Sequence, residues 1–357
     1  MKKLFVLAVV CLLAVSIFAG CTGTIVVVGD CTCPTNGQTN PTQPPVDLGE
    51  GAVKTGLSVF TKVSDSTSAT AEEEAAIKYD ILVAAVTVDD EGKIHSAYID
   101  SLPATVTVNA QGQITTDLTD QILTKNELGV AYGMVAWGGA IAEWDAQVAA
   151  LCSYAVGKTA EELKNGAINE SGYAAAGTDL ATSATIYLGD YVDALVAAAA
   201  NAVHLGANSG DKLVIATLNS LQSSVSATAE KDGTVQFDVN IAAVTSNNGI
   251  ITSCIIDSVQ AKISFNTSGV ITTDLTAQIL TKNELGAAYG MVAWGGAKAE
   301  WNEQAASFAA YVRGKTAAEV AGISVTESTQ PADGTDLATS VTIKIGDFMD
   351  LIAKAMA

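Results

Sequence analysis

The sequence predicts an α+β protein built from two tandem copies of one domain, which follow an export signal and a disordered tether. Three observations lead to this prediction: a long internal repeat, a strands-then-helices order of hydrophobic patterns in each copy, and a proline-rich segment near the N-terminus. A chain of 357 residues is long enough to form two ordinary domains.

The internal repeat is the strongest signal in the chain. Residues 115–144 return 157 positions later as residues 272–301, and only three of the 30 positions differ. The same offset relates Gly-Lys-Thr-Ala at 157–160 to 314–317. A period this long indicates tandem domains rather than a solenoid. We place the two domains at residues 51–204 and 205–357.

The first part of each copy has the pattern of antiparallel strands. Residues 81–88 are apolar and largely β-branched, a turn follows at 89–92, and a second apolar stretch returns at 93–99. The second copy repeats this hairpin with strands at 235–244 and 250–256.

Helices are predicted in the middle and at the end of each copy. Apolar residues at spacings of three and four predict a helix over residues 140–156. Thr159, followed by Glu162, predicts a capping box at the start of a second, short helix. A strand at 183–188 and a final helix at 191–202 complete the predicted domain.

The N-terminus has the features of an export signal. Residues 1–20 combine Lys2 and Lys3 with an apolar stretch that is too short for a comfortable membrane span. The following Cys21 stands where a bacterial lipoprotein signal has its acylated cysteine, although ordinary signal cleavage is the alternative. Residues 21–50 contain four of the six prolines, so we expect a tether that anchors the domains to the extracellular face of the cell membrane.

Composition excludes several functions. The formal net charge of −20, without a basic cluster beyond the N-terminus, argues against nucleic acid and otherwise indicates a soluble surface. The chain has two histidines, His95 and His204, and no cysteine spacing typical of a metal or haem site. We therefore predict no metal site, and the sequence indicates no catalytic residues.

The first candidate site is a polar loop that the repeat preserves while the residues before it diverge. By residue type alone, such a loop is a turn that leads into a threonine-rich strand. The candidate residues are Gly177, Asp179, Ala181 and Thr182 in the first copy, and Asp333, Gly334, Asp336, Ala338 and Thr339 in the second.

The second candidate site is a segment in which aromatic residues alternate with glycines. It contains Tyr132 and Trp137 in the first copy, and Tyr289 and Trp294 in the second. Glycine lets a flat ring lie close to the backbone, whereas the alternative is that these rings only pack the domain. Trp144 and its counterpart Trp301 are interpreted as core residues first and as ligand-facing residues second.

The polar loops resemble the flavin-attachment motif of the FMN-binding domain family, whose pattern is roughly Asp-Gly-x-Ser/Thr-Gly-Ala-Thr. Residues 333–339 place Thr339 at the flavinylated position, and the same alignment places Thr182 there in the first copy. Asp333 has Ala176 as its counterpart, so the second copy follows the motif more closely. Neighbouring hydroxyls are provided by Ser183, Thr185, Ser340 and Thr342.

The whole arrangement is similar to the two-domain flavin lipoproteins of Gram-positive extracellular electron transfer. In that family a separate Mg²⁺-dependent FMN transferase moves FMN from FAD onto the threonine as a phosphoester. The resemblance therefore implies two covalent FMN groups, with both candidate sites of each copy as cofactor-binding residues. It also implies a membrane electron donor, which is a quinol or an NADH dehydrogenase system, and extracellular electron acceptors.

The residues themselves agree with a threonine that another enzyme modifies. A threonine hydroxyl needs a base or a metal to become a nucleophile, and the sequence has no histidine near either loop. An electron carrier is the favoured function over an enzyme with its own substrate. The competing hypotheses are a non-redox adhesion or binding lipoprotein and a flavin reductase, which needs a pocket with a positioned acid or base.

Overall fold

The computed structural model describes residues 51–357, so the predicted signal peptide, Cys21 and the tether lie outside the described residues. Within residues 51–357 the strands are β1 (Ala52–Lys62), β2 (Ala75–Val88), β3 (Ile94–Val108), β4 (Val203–Asn208), β5 (Lys212–Ser220), β6 (Gly233–Asn247) and β7 (Ile250–Phe265). Both predicted hairpins are present, as β2–β3 and β6–β7.

The strands form two antiparallel sheets with the orders β3-β2-β1-β4 and β5-β6-β7. Strand β4 spans the predicted boundary between residues 204 and 205. It pairs with the first strand of the first copy, with Val203 opposite Thr55. The described residues all belong to one compact unit, and the division into two domains stays a prediction.

Residues 51–357 contain twelve α-helices, six after β3 and six after β7. They are α1 (Lys125–Leu128), α2 (Met134–Gly138), α3 (Trp144–Ala155), α4 (Ala160–Gly166), α5 (Leu180–Ser183), α6 (Gly189–Ala200), α7 (Lys282–Leu285), α8 (Met291–Gly295), α9 (Trp301–Val312), α10 (Ala317–Ala321), α11 (Leu337–Ser340) and α12 (Gly346–Ala355). The α+β class is therefore confirmed. None of these helices is long and apolar enough to cross a membrane.

Local signals explain where several helices begin. Thr159 accepts a hydrogen bond from the Glu162 N–H, while the Glu162 carboxylate accepts from the Thr159 N–H, which confirms the predicted capping box of α4. The helix predicted over residues 140–156 is shorter, because Glu143 has an extended backbone and ends the preceding loop.

The two sheets pack face to face, and helices cover their outer faces. Alternate residues of β2 point to opposite sides: Ile81 and Val83 lie in the core between the sheets, whereas Ala84 and Val86 lie against the helices α3, α4 and α6. The second copy has the same arrangement around α9, α10 and α12. Burial on both faces explains why the central strands are continuously apolar.

The core between the sheets joins the two copies in an approximately symmetric way. Tyr79 and its counterpart Phe237 lie in contact, with their ring centroids 5.4 Å apart, and the Tyr79 hydroxyl donates to the Val235 carbonyl at 2.9 Å. The Ile271 N–H donates to the Ser68 hydroxyl and the Ile114 N–H donates to the Ser226 hydroxyl, both at 3.0 Å. These paired bonds form two equivalent seams between the copies.

Because the copies share this core, we expect Phe237→Ala to destabilise both together. Removing a fully buried phenylalanine costs about 3–5 kcal/mol in the free energy of unfolding. Denaturant unfolding, followed by tryptophan fluorescence and circular dichroism, should show one coincident transition that moves to lower denaturant concentration. Phe60→Ala, at a residue with 43% exposure, is the control and should shift the midpoint much less. Two separated transitions, of which only one responds, would contradict the shared core.

Candidate functional site

The predicted attachment threonines lie on the surface, each in a one-turn helix. Thr182 is in α5 and Thr339 is in α11, and both side chains are exposed. The Thr182 hydroxyl donates to the Asp179 carbonyl at 2.8 Å, and the Thr339 hydroxyl donates to the Asp336 carbonyl at 2.6 Å. Since each hydroxyl proton points to the backbone, the lone pairs of the oxygen remain available toward solvent.

A glycine and a leucine hold this helical turn in place in each copy. Gly177 and Gly334 have φ values of 84° and 80°, in the left-handed region that favours glycine. The side chains of Leu180 and Leu337 are buried beneath the loop. The other predicted loop residues have matching solvent exposure in the two copies. The acidic residues Asp179, Asp333 and Asp336 are exposed, whereas Ala181 and Ala338 are half-buried.

The strand predicted at residues 183–188 is wrong, because a buried glutamine takes the place of a neighbouring strand. The Gln147 side chain is fully buried in α3, and its carbonyl oxygen accepts the N–H groups of Thr185 and Ile186 at 2.8 and 3.2 Å. Its amide group donates to the Ala142 carbonyl at 2.8 Å. The extended segment after α5 is therefore satisfied by one side chain rather than by a sheet.

The second copy repeats this arrangement with Gln304, whose carbonyl oxygen accepts the N–H groups of Thr342 and Ile343 at 2.8 and 3.2 Å. Sequence reasoning missed both glutamines. A signal was present, because α3 and α9 differ at most positions yet both retain the glutamine three residues after the first tryptophan.

Two of the four predicted aromatic residues are almost fully exposed. Trp137 is 89% exposed and Trp294 is 90% exposed, so neither packs the core. Each lies in a one-turn helix, α2 or α8, that begins after a glycine with left-handed backbone, and the indole ring lies close to that glycine. The φ values of 81° and 82° at Gly133 and Gly290 favour glycine, and a side chain on Gly290 would also clash with the Trp294 ring.

A carboxylate anchors this exposed turn in each copy. The Glu143 carboxylate accepts the N–H groups of Met134 and Val135 at 2.8 and 3.1 Å, and Glu300 does the same for the second copy. Carboxylates at a helix start satisfy free N–H groups that have no partner within the helix. The turn that displays Trp137 is thus fixed to the beginning of α3.

The other aromatic residues surround a lysine. Tyr132 and Tyr289 are half-buried, and the ammonium groups of Lys125 and Lys282 lie 5.6 and 5.1 Å from their ring centroids. The same two ammonium groups lie 5.1 and 4.9 Å from the rings of Trp144 and Trp301. These tryptophans are 3% and 6% exposed, which confirms that they are core residues first.

The predicted cofactor-binding residues form two groups in each copy, both attached to the same helix. The glycine–aromatic segment is held at the start of α3 by Glu143, whereas the threonine loop lies against its middle and end. A cavity of about 420 Å³ separates the loop residues Asp179 and Ser183 from Tyr154 and Lys158. Among residues 51–357, no hydrogen bond or ring contact joins Thr182 or Thr339 to the predicted aromatic residues.

Cations lie beside the threonine loop. The Lys158 ammonium group lies 3.8 Å from the Tyr154 ring centroid and donates to the Tyr154 carbonyl at 2.6 Å. Lys315 and Tyr311 form the corresponding pair in the second copy, with the ammonium group 4.5 Å from the centroid. In the first copy Lys158 lines the cavity. It places a positive charge beside a loop whose only charged residue is Asp179.

The histidines lie elsewhere, at the turn between β2 and β3. His95 contacts Asp89 at 2.9 Å and Ser209 at 3.0 Å, and His204 contacts Asp90 at 3.1 Å. Within residues 51–357, no group of three or more histidine, cysteine or acidic side chains is arranged to hold a metal ion.

Each copy also buries one carboxyl group where β3 or β7 meets the following helix. Burial raises the pKa of Asp100 to about 6 and that of Asp257 to about 7, although backbone N–H groups and a threonine hydroxyl partly oppose this shift. The Asp257 carboxyl accepts the N–H groups of Ser258 and Asn283 at 2.7 and 3.1 Å, and so it joins α7 to the sheet.

Compared with protein-family models, with curated proteins and with solved structures, the chain matches none.

We expect Asp257→Asn to change how stability depends on pH. A carboxyl group whose pKa is raised by folding stabilises the folded state fully below its unfolded pKa of about 4, and this contribution is lost as the pH rises to about 7. The amide keeps an acceptor but cannot ionise, so at pH 8 the variant should be more stable by an amount on the order of a few kcal/mol. Urea unfolding at pH 4, 6 and 8 measures this.

Asp274→Asn is the matched control, because Asp274 is exposed and its pKa is lowered by Thr276. This variant should not gain stability at pH 8. Identical pH profiles for the parent and for Asp257→Asn would show that the buried carboxyl group does not control the profile.

Proposed function

We propose that the chain is a surface lipoprotein that carries FMN covalently on a threonine of each copy. In this proposal it transfers electrons from a membrane donor, a quinol or an NADH dehydrogenase system, to extracellular acceptors. The observation that best supports it is the display of Thr182 and Thr339 in identical exposed turns, with each hydroxyl bonded only to its own backbone. An external FMN transferase can reach such a hydroxyl without unfolding the domain.

The residues around the loop fit a phosphoester. In the attachment reaction the threonine oxygen bonds to the FMN phosphorus of FAD, the pyrophosphate P–O bond breaks, AMP leaves, and the hydroxyl proton passes to a base of the transferase. The ester retains one negative charge, which Lys158 offsets in the first copy and Lys315 in the second, since each lies at the same helix end. The absence of histidine contacts to either threonine agrees with a passive acceptor.

Bound FMN supplies two-electron acceptance and one-electron release, and the protein contributes its position and surroundings. The predicted partners of the ring are Tyr132, Trp137, Tyr289 and Trp294. Exposed indole faces such as those of Trp137 and Trp294 are suited to stacking on a flat ring. These aromatic residues lie at the opposite end of α3 from the threonine loop. The arm that links the flavin ring to the threonine must therefore span that distance for the ring to contact them.

The same exposed tryptophans favour a second candidate function, a non-redox binding or adhesion lipoprotein. A side chain with 89% exposure on a fixed turn is a typical anchor for a macromolecular partner. This alternative predicts a colourless protein that no transferase modifies. A flavin reductase is less well supported, because within residues 51–357 no side-chain acid or base is hydrogen-bonded to either threonine hydroxyl.

Intact-mass measurement of the full chain, co-expressed with an FMN transferase, tests the proposal. We expect a gain of two FMN units, each less one water, together with the absorption of a flavin. Thr182→Ala and Thr339→Ala should each remove one unit, and the double variant should remove both.

Thr185→Ala and Thr342→Ala are matched controls, because these hydroxyls lie three residues further along the same loops. Each control should retain two units. If the controls lose FMN units while Thr182→Ala and Thr339→Ala keep them, the attachment point is Thr185 or Thr342 instead. No added mass in any form would reject flavinylation and favour the adhesion hypothesis.

A further inference from the structure

The two seams between the copies are equivalent in position but not in structure. In one seam the Asn219 side-chain amide donates to the Ile122 carbonyl at 2.8 Å. Close by, the Lys354 ammonium group contacts Glu127 at 2.5 Å and donates to the Thr217 carbonyl at 2.8 Å. This seam, which we call the closed seam, is therefore filled by protein side chains.

The other seam, which we call the open seam, lacks these groups. The strand register places Thr61 where the closed seam has Asn219, and the repeat offset places Ala197 where it has Lys354. Thr61 is too short to repeat the bond, and within residues 51–357 no side chain donates to the Ile279 carbonyl, the counterpart of the Ile122 carbonyl. A cavity of about 300 Å³ lies between these groups.

Two polar groups of the open seam have no hydrogen-bond partner among the described residues. The Thr61 hydroxyl is inaccessible to solvent and makes no hydrogen bond. Asp190 also receives no hydrogen bond, whereas its counterpart Asp347 accepts one from Asn240 at 2.9 Å. Leu82 replaces that asparagine in the open seam. The Thr61 hydroxyl is the buried one of the two, whereas Asp190 is exposed, so the Asp190 carboxylate is open to a ligand that donates hydrogen bonds.

The lining of the cavity defines the chemistry of this ligand. Its apolar wall consists of Phe60, Leu82 and Tyr191, of which Phe60 is 43% exposed. Its charged wall contains the carboxyl groups of Asp80, Asp190 and Asp193.

The charged wall retains a net negative character. Asp80 accepts from the Ser101 hydroxyl at 2.5 Å and lies 3.7 Å from the Lys125 ammonium group, while Lys164 lies 4.0 Å from Asp193. Lys62 is the one cation of the lining, and its ammonium group is paired with Asp65 at 2.9 Å. Within residues 51–357 Asp190 is the one acid of the three without an ion pair. Lys62 acts on it only at longer range, so an added positive charge is favoured there.

From these contacts we propose that the open seam is a binding site for a small organic cation with a primary ammonium group and an apolar body. The ammonium N–H groups bond to the Asp190 carboxylate and the Ile279 carbonyl, as the Asn219 amide bonds to Ile122 in the closed seam. The apolar body lies against Phe60, Leu82 and Tyr191. This site lies at the open seam between the two copies, not at the closed seam, and is independent of flavin attachment.

Benzylamine is the probe, and benzyl alcohol is its uncharged equivalent of nearly the same shape. Titration of the full chain, followed by two-dimensional NMR of the backbone amides, should give saturable shifts at one site in the open seam. Benzyl alcohol should bind about ten-fold more weakly or worse, which corresponds to the loss of one charged hydrogen bond. Equal affinity for the two compounds would overturn the assignment of a cation, and no saturable shift would overturn the site.

Two substitutions test whether benzylamine binds in the open seam. Thr61→Asn introduces the residue that closes the other seam, and Asp190→Asn removes the unpaired charge at an exposed position that the fold tolerates. Each should weaken benzylamine binding by about ten-fold or more. Asn219→Thr is the matched control in the closed seam and should leave the affinity at the open seam within about two-fold. Unchanged affinity in both Thr61→Asn and Asp190→Asn would overturn the proposal.

Discussion

The structure depends on one packing constraint: each sheet must bury both of its faces. One face of each sheet meets the sheet of the other copy, and the other face meets its own helices. Residues such as Ile77 and Val235 are fully buried in the core that the two sheets line together. The two copies therefore cannot separate without exposing an apolar sheet face, which favours unfolding as one cooperative unit.

Because of this constraint, the polar loops of the candidate sites lie in the outer, helical layer. With the sheets filled by small apolar side chains, polar loops can form only on and around the covering helices. Helix α3 and its counterpart α9 serve as supports, because Glu143 fixes the tryptophan turn and Gln147 fixes the segment after the threonine loop. In both cases a side chain accepts hydrogen bonds from backbone N–H groups of the loop. These bonds hold the exposed loops in place without a strand or a disulfide.

Divergence between the copies spares the segments of the candidate flavin sites but not the residues where the copies meet. The segment at 115–144 is nearly unchanged in its repeat, whereas strand residues at the seams differ, as Thr61 and Leu82 differ from Asn219 and Asn240. A few side-chain differences, chiefly Thr61 in place of Asn219 and Ala197 in place of Lys354, decide whether a seam is closed by internal hydrogen bonds or leaves a cavity. The two copies thus share a candidate cofactor site and differ in the interface.

Some features of this protein follow from the sequence alone, because they depend on neighbours within a few residues. The duplication, both hairpins, the capping box at Thr159 and the left-handed turns at Gly177 and Gly334 belong to this class. Local pattern also identified α3, although it placed the start of the helix a few residues too early.

Other features were decided by residues that are distant in sequence. Residues 183–188 have the composition of a strand, but Gln147 bonds to their backbone and no strand lies beside them. Trp137 and Trp144 are seven residues apart and chemically identical, yet one is exposed and the other is buried. Burial and hydrogen bonding depend on what lies opposite a side chain, and only the tertiary structure brings those groups together.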